Sequence, residues 1–235
     1  MMRSGHHAIT NWLMCHYKGD VLFRNDILNP LFNFKKRLGI IQRKSCYAFN
    51  IEERHVKQIR GVLAETEKIW RYGTSGRIIE ILVLRDPFNL FASRLKARWS
   101  QPKGGRYSQW LDNRAVKMWK SYAQEFLGIT TFYPSAIKIK YNDWFTSQEY
   151  RQDISRQLGL PFTDEGLLLV TDDGQGSSFD GVNYNGRANQ MQVLDRWKSC
   201  MGNKAYLRVF QDEELMSLAG KIFGVPDGFR ELLSD

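Results

Sequence analysis

Residues 77–99 read RIIEILVLRDPFNLFASRLKARW. The first nine form a β-branched and leucine-rich run of the kind a parallel sheet buries on both faces. Asp86 then stands where it can cap a helix, and Pro87 falls in the first helical turn, where a missing N–H costs nothing. A buried-type strand that runs straight into a capped helix is half of a strand–helix–strand unit. The other half follows: a polar loop over 101–109, a helix from Trp110 to Leu127, and a second strand in AIKIKYNDW, 136–144. Alternating strands and helices with parallel-type strands specify an α/β layered fold.

Working outward, residues 6–18 carry apolar groups at helical spacing (Ile9, Trp12, Leu13, His16), with Gly19 just past the end. Residues 20–44 read as irregular and basic. CYAFNI, 46–51, is a short strand followed by a helix from Glu52 to about Trp70. SQEYRQDISRQLGL, 147–160, is a helix with a glycine stop. A Gly/Asp/Ser-rich loop spans about 171–187, and the remainder is helical. No repeat, linker or low-complexity tract divides the 235 residues, so one domain over 1–235 is expected.

The chain has 34 Lys+Arg against 25 Asp+Glu, a net charge of +9. That balance calls for an anionic partner and does not choose among nucleotide, nucleic acid, acidic glycan and membrane surface. Cys15, Cys46 and Cys200 are far apart and form neither a disulfide framework nor a zinc motif, which fits a reducing, cytoplasmic compartment. No apolar run approaches the roughly 20 residues of a membrane-spanning helix. The tryptophans and aromatic stripes at helical spacing are expected in the core.

Two stretches carry chemistry. In MRSGHHAITNWL, 2–13, Arg3-Ser4-Gly5 leads directly into a helix. Such a turn is either plain punctuation or an anion site, where free N–H groups, the helix dipole, the bare Gly5 backbone and the Arg3 charge converge. It is not a Walker A loop, because no GK[ST] follows at the required spacing. In the second stretch, Arg85 ends the best strand, where open α/β sheets bind ligands, and Ser93 follows eight residues later. Arg85 is either an ion-pair partner or, with Ser93, a phosphate holder.

Together these stretches resemble the sulfotransferases that use 3′-phosphoadenosine-5′-phosphosulfate (PAPS). The resemblance implies a three-layer sandwich, a P-loop NTPase-like fold with a central, mostly parallel sheet and helices on both faces. It implies that Arg3, Ser4, Gly5, His6, His7 and Ala8 hold the 5′-phosphosulfate, and that Arg85 and Ser93 hold the 3′-phosphate. IKYNDW resembles the segment whose tyrosine lies near the adenine, here Tyr141. SSFDGVNYNGRANQMQVLDRWK, 177–198, resembles the late loop and helix that close over the nucleotide, with Gly186 and Arg187 as candidates. The family's strand ahead of the phosphate loop has no counterpart before Arg3. Arg3 also replaces the family lysine, keeping the charge without a proton to give.

The implied reaction moves a sulfuryl group from PAPS to a hydroxyl or amine and leaves adenosine 3′,5′-bisphosphate (PAP), with no metal called for. Arg3 would stabilise the leaving phosphate. The base is a carboxylate at Glu52 or Glu53, which as a pair are equally ordinary first-turn helix acids. His55 and His7 are the histidine candidates, His7 doubling as phosphate ligand. The acceptor, whether small molecule, glycan, lipid or peptide, stays open, and Lys35-Lys36-Arg37 and Lys103–Arg106 either rim it or are solvated loops. The competing classes are a non-catalytic polyanion- or nucleic-acid-binding module and a P-loop kinase-like enzyme.

Overall fold

The computed structural model describes residues 1–26, 45–61, 77–99, 113–171 and 176–233. Within them the chain is mixed α/β, with helices around two two-stranded parallel sheets. Helix α1 (His6–Met14) leads to β1 (Val21–Arg24), which pairs in parallel with β2 (Cys46–Phe49), Val21 beside Cys46 and Arg24 beside Phe49. Strand β3 (Ile81–Leu84) pairs in parallel with β4 (Ile137–Lys140), Ile81 beside Ile137 and Leu84 beside Lys140. A parallel pair needs a long crossover, and α2 (Pro87–Trp99) and α3 (Asn113–Phe126) supply it. Beyond β4 come α4 (Tyr141–Thr146), α5 (Gln148–Leu158), α6 (Lys204–Val209) and α7 (Glu213–Phe223), with 3₁₀ turns at Ala188–Gln190, Arg196–Cys200 and Glu231–Leu233.

The decisive stretch folds as its residues dictate. Asp86 Oδ1 accepts the Asn89 N–H at 2.7 Å, and α2 starts at Pro87. Ser147 caps α5 by accepting the Tyr150 N–H, and Gly159 ends it in the left-handed conformation at φ 68°.

Other expectations are corrected. Residues 20–44 are not irregular throughout: Val21–Arg24 is a strand, because β2 offers it a parallel partner. α1 stops at Met14, short of Gly19. Helical residues after β2 begin at 56, so Glu52 and Glu53 are not first-turn acids. In 136–144 the strand ends at Lys140, and Tyr141 opens a helix. Strand β3 covers only Ile81–Leu84 of 77–85. The two basic runs, the loop over 101–109 and the far part of the helix expected to reach Trp70 lie outside the described residues.

Two apolar cores result. Phe88 and Phe91 of α2, Met118 and Trp119 of α3, and Tyr206, Phe210, Leu215 and Phe229 dominate the larger. Phe88 stacks on Phe210 at 5.1 Å, and Phe229 meets both edge-on at 4.6 and 4.8 Å. The second core joins Ile9 and Trp12 of α1 to Ile139, Tyr141, Trp144, Ile154, Leu158 and Val193. Arg85 lies where the two cores meet. Its carbonyl accepts the Trp119 Nε1–H at 2.9 Å from the first, and its guanidinium lies 4.9 Å above the Tyr141 ring of the second. No helix among the described residues is long and apolar enough to cross a membrane.

Candidate functional site

The turn at residues 3–5 meets the end of β3 directly. Arg85 is 2% exposed and donates from one guanidinium nitrogen to the Arg3 carbonyl at 3.2 Å and to Ser93 Oγ at 3.4 Å. Its other terminal nitrogen donates to the Val193 carbonyl, while its buried Nε has no hydrogen-bond partner. Ser93, eight residues on, is fully buried on the α2 face that looks back at the strand end. The expected Arg85–Ser93 pair is therefore in contact.

A second arginine reaches the same hydroxyl. Arg196 is 8% exposed and donates to Ser93 Oγ at 3.2 Å, to Ser177 Oγ at 2.8 Å and to Asp180 Oδ2 at 3.1 Å. Burial, with the like charge of Arg85 beside it, brings Arg196 down to about 10, so it remains charged at neutral pH. Arg3 reaches the same loop, donating to the Gly176 carbonyl at 3.1 Å. Burial lowers Arg3 as well, against the pull of Glu52. Three arginines thus converge from the first turn, the strand end and the late 3₁₀ segment. Asp180 is the one carboxylate bonded to the Arg85–Arg196 pair among the described residues.

Gly5 heads α1 at φ 80°, and a Cβ placed there would lie 2.1 Å from the Tyr141 ring. That ring covers the loop at the start of α4, 5% exposed. Tyr141 is thereby brought to Gly5 and Arg85. Gly186 and Arg187 are not brought in: the Gly186 N–H bonds the Leu168 carbonyl, and Arg187 bonds the Asn183 carbonyl and covers Tyr184 at 5.4 Å.

On the other side of the turn, His6 and His7 open α1 and face Glu52, which follows β2. His6 Nε2 lies 2.8 Å and His7 Nε2 3.7 Å from Glu52 Oε1. Ser4 Oγ sits 3.2 Å from His6 Nδ1, and the His7 ring meets Phe23 of β1 edge-on at 6.2 Å. Ala8 continues the helix and packs against the second core. Burial, with His6 and Arg3 nearby, pulls His7 down to about 4, so it is neutral at pH 7. Burial pushes the Glu52 carboxyl up, but His6 and His7 outweigh it and the group sits below the ordinary carboxylate range.

Glu53 faces elsewhere. Its two oxygens take Arg94 at 2.8 and 3.1 Å, and Oε1 also accepts the Met2 N–H at 2.9 Å. Burial opposes ionisation, yet Arg94 holds the carboxyl down at about 2. A carboxylate so committed does not accept a proton at neutral pH. His55, among Lys57, Arg114 and Lys117, stands outside the cluster.

Sequence reasoning missed Arg94, Arg196 and Asp26, which accepts the Glu52 N–H at 3.2 Å. Arg94 adjoins Ser93, and Arg196 lies inside the late stretch 177–198, so both were in view as residues without an assigned partner. The described residues also line a cleft between Asp86, Asn142, Trp197 and Val225, which contains none of the expected site residues. No family model, curated protein or solved structure matches the chain.

Proposed function

We propose that this protein is a PAPS-dependent sulfotransferase, moving a sulfuryl group from PAPS to a hydroxyl or amine acceptor. The observation that carries the reading is the buried pair of guanidiniums, Arg85 and Arg196, meeting on the Ser93 hydroxyl. Two like charges out of water repel each other, Asp180 offsets one of them, and a phosphate answers both with charge-assisted bonds. Arg85 Nε still has a bond to give. Arginines this buried suit one small anionic group. An extended polyanion would need them at the surface, which disfavours the nucleic-acid-binding alternative.

In this reading Arg85, Ser93 and Arg196 take the 3′-phosphate, and Arg3 with the amides after Gly5 takes the 5′-phosphosulfate. Tyr141 adjoins both, and Gly186 and Arg187 approach only if their loop moves. Acceptor activation falls to the His6–His7–Glu52 cluster, in which Glu52 is the proton-accepting group. Catalysis comes mainly from positioning and charge neutralisation, as in phosphoryl transfer. The reading brings the three-layer P-loop-like fold with it, supported by the two parallel pairs and the α2–α3 crossover. The three free cysteines suit a reducing, cytoplasmic setting.

The test compares PAP with AMP in thermal unfolding. A ligand at 100 times its dissociation constant stabilises the native state by about 2.7 kcal/mol. PAP is expected to raise the melting temperature clearly more than AMP, which lacks the 3′-phosphate. Equal shifts would remove the assignment of Arg85, Ser93 and Arg196.

A further inference from the structure

We propose that His6, His7 and Glu52 form a binding site for one divalent first-row transition-metal ion. The inference stands on this cluster alone and goes beyond the nucleotide reading, which calls for no metal. One ligand atom from each of the three residues lies within 4.8 Å of the others. Around an ion held at about 2.0–2.2 Å, tetrahedral donor atoms sit about 3.3–3.6 Å apart. The observed 2.8 and 3.7 Å separations from Glu52 Oε1 straddle that range, and the two imidazole donors lie within 4.8 Å of each other, so binding needs the rings to draw together around the ion.

Buried polar atoms at the cluster lack aligned hydrogen-bond partners. Glu52 is 8% exposed, and neither its Oε1 nor His6 Nε2 has an aligned hydrogen-bond partner. The two atoms face each other at 2.8 Å as an ion pair whose geometry falls short of an aligned hydrogen bond, and a metal ion between them would satisfy both. Ser4 on His6 Nδ1 leaves Nε2 as the ring atom directed at Glu52, as an outer partner does for a metal-bound imidazole.

Asp26, Glu52 and Glu53 adjoin one another, among Arg3, Arg54, Arg94 and the Met1 ammonium. Arg94 is spent on Glu53, which leaves the Glu52 carboxylate facing the two imidazoles. The only non-glycine residues with positive φ among those described are Arg3 (65°), Asp26 (39°) and Glu53 (50°), and all three flank this cluster. Two imidazoles and a carboxylate suit zinc, cobalt and their neighbours, and three protein ligands leave a position open for water or an acceptor hydroxyl. The chain has four histidines, and His16 is excluded because Trp12 O and Ser155 Oγ occupy both its ring nitrogens.

The experiment titrates metal-stripped full-length protein with Zn²⁺ against a chromophoric chelator, and with Co²⁺ followed by visible absorption. One Zn²⁺ per chain is expected. His7→Ala and Glu52→Gln should each weaken it by about 100-fold or more, and Ser4→Ala by the roughly 10-fold of an outer partner. His55→Ala should leave the affinity unchanged. Bound Co²⁺ should show the intense bands of a four- or five-coordinate site. Equal Zn²⁺ affinity in wild type and His7→Ala would overturn the proposal. So would a Co²⁺ spectrum no different from that of the aqueous ion, a readout of the wild type that needs no variant to fold. Failure of PAP to shift the melting temperature would remove the nucleotide reading and leave these titrations as they stand.

Discussion

A methyl group on Gly5 would have to enter the space held by the Tyr141 ring, on a backbone already at φ 80°. Left-handed backbone costs an ordinary residue about 1–2 kcal/mol, and overpacking adds about 1–3 kcal/mol. Gly5→Ala should therefore lower unfolding stability by about 2–5 kcal/mol. A denaturant midpoint that does not move would show that the turn adopts another shape. The carboxylates that follow β2 separate at the same scale. Glu53→Gln breaks the two-pronged contact with Arg94 and leaves a buried guanidinium without its carboxylate, so the loss is expected in stability. Glu52→Gln removes the group proposed to accept the acceptor's proton and is expected to keep PAP affinity while turnover falls roughly 10²–10⁴-fold. Reversed outcomes, assayed by melting and by sulfuryl transfer, would exchange the two roles.

Among the elements, α3 ends in a side-chain clip. Glu125, 1% exposed, accepts from Thr130 Oγ1 at 2.6 Å and from the amides of Phe132 at 3.0 Å and Tyr133 at 2.6 Å. Burial opposes its ionisation, but those three donors outweigh it and lower the carboxyl from its ordinary 4.5. Such a group contributes stability that is complete above the unfolded value and disappears as pH falls through the folded one. Stability should therefore decline below about pH 4.5, and Glu125→Gln should cost about 1.5–3 kcal/mol at pH 7 and flatten that decline. An unchanged acid limb in the variant would assign the decline to other carboxylates. Elements closed by local chemistry of this kind were legible beforehand: Asp86 before Pro87, and the glycine stop at Gly159. β1 was not, because VLFR has no signal beyond four residues and becomes a strand only through its partner 25 positions away. Tyr141 opens a helix where alternation had continued the strand, and its ring packs over Gly5. The Arg85–Ser93 contact follows from eight-residue spacing across one strand-to-helix junction. Arg196 reaches Ser93 across 103 residues and Arg94 reaches Glu53 across 41, distances no local pattern encodes.

At the scale of the molecule, two apolar cores meet along a line of cations. Arg85 bonds to Val193 and receives Trp119, one from each core, and Arg196 immediately precedes Trp197 of the larger. An anion bound to these arginines therefore ties both halves of the interior together. Inorganic phosphate should raise the melting temperature saturably, by an amount that follows its occupancy. Chloride at equal ionic strength should not, and Arg85→Gln should abolish the phosphate effect. Matching shifts with chloride would reduce the effect to general screening of the +9 charge.

Tyr141 has a further consequence. Its ring lies 5.7 Å from Trp144, which lies 6.0 Å from Trp12, and all three are buried. Whatever settles against Gly5 must press on that ring and disturb the indole behind it. The loop therefore carries its own optical reporter, and the emission of Trp144 would register occupancy in an unlabelled sample.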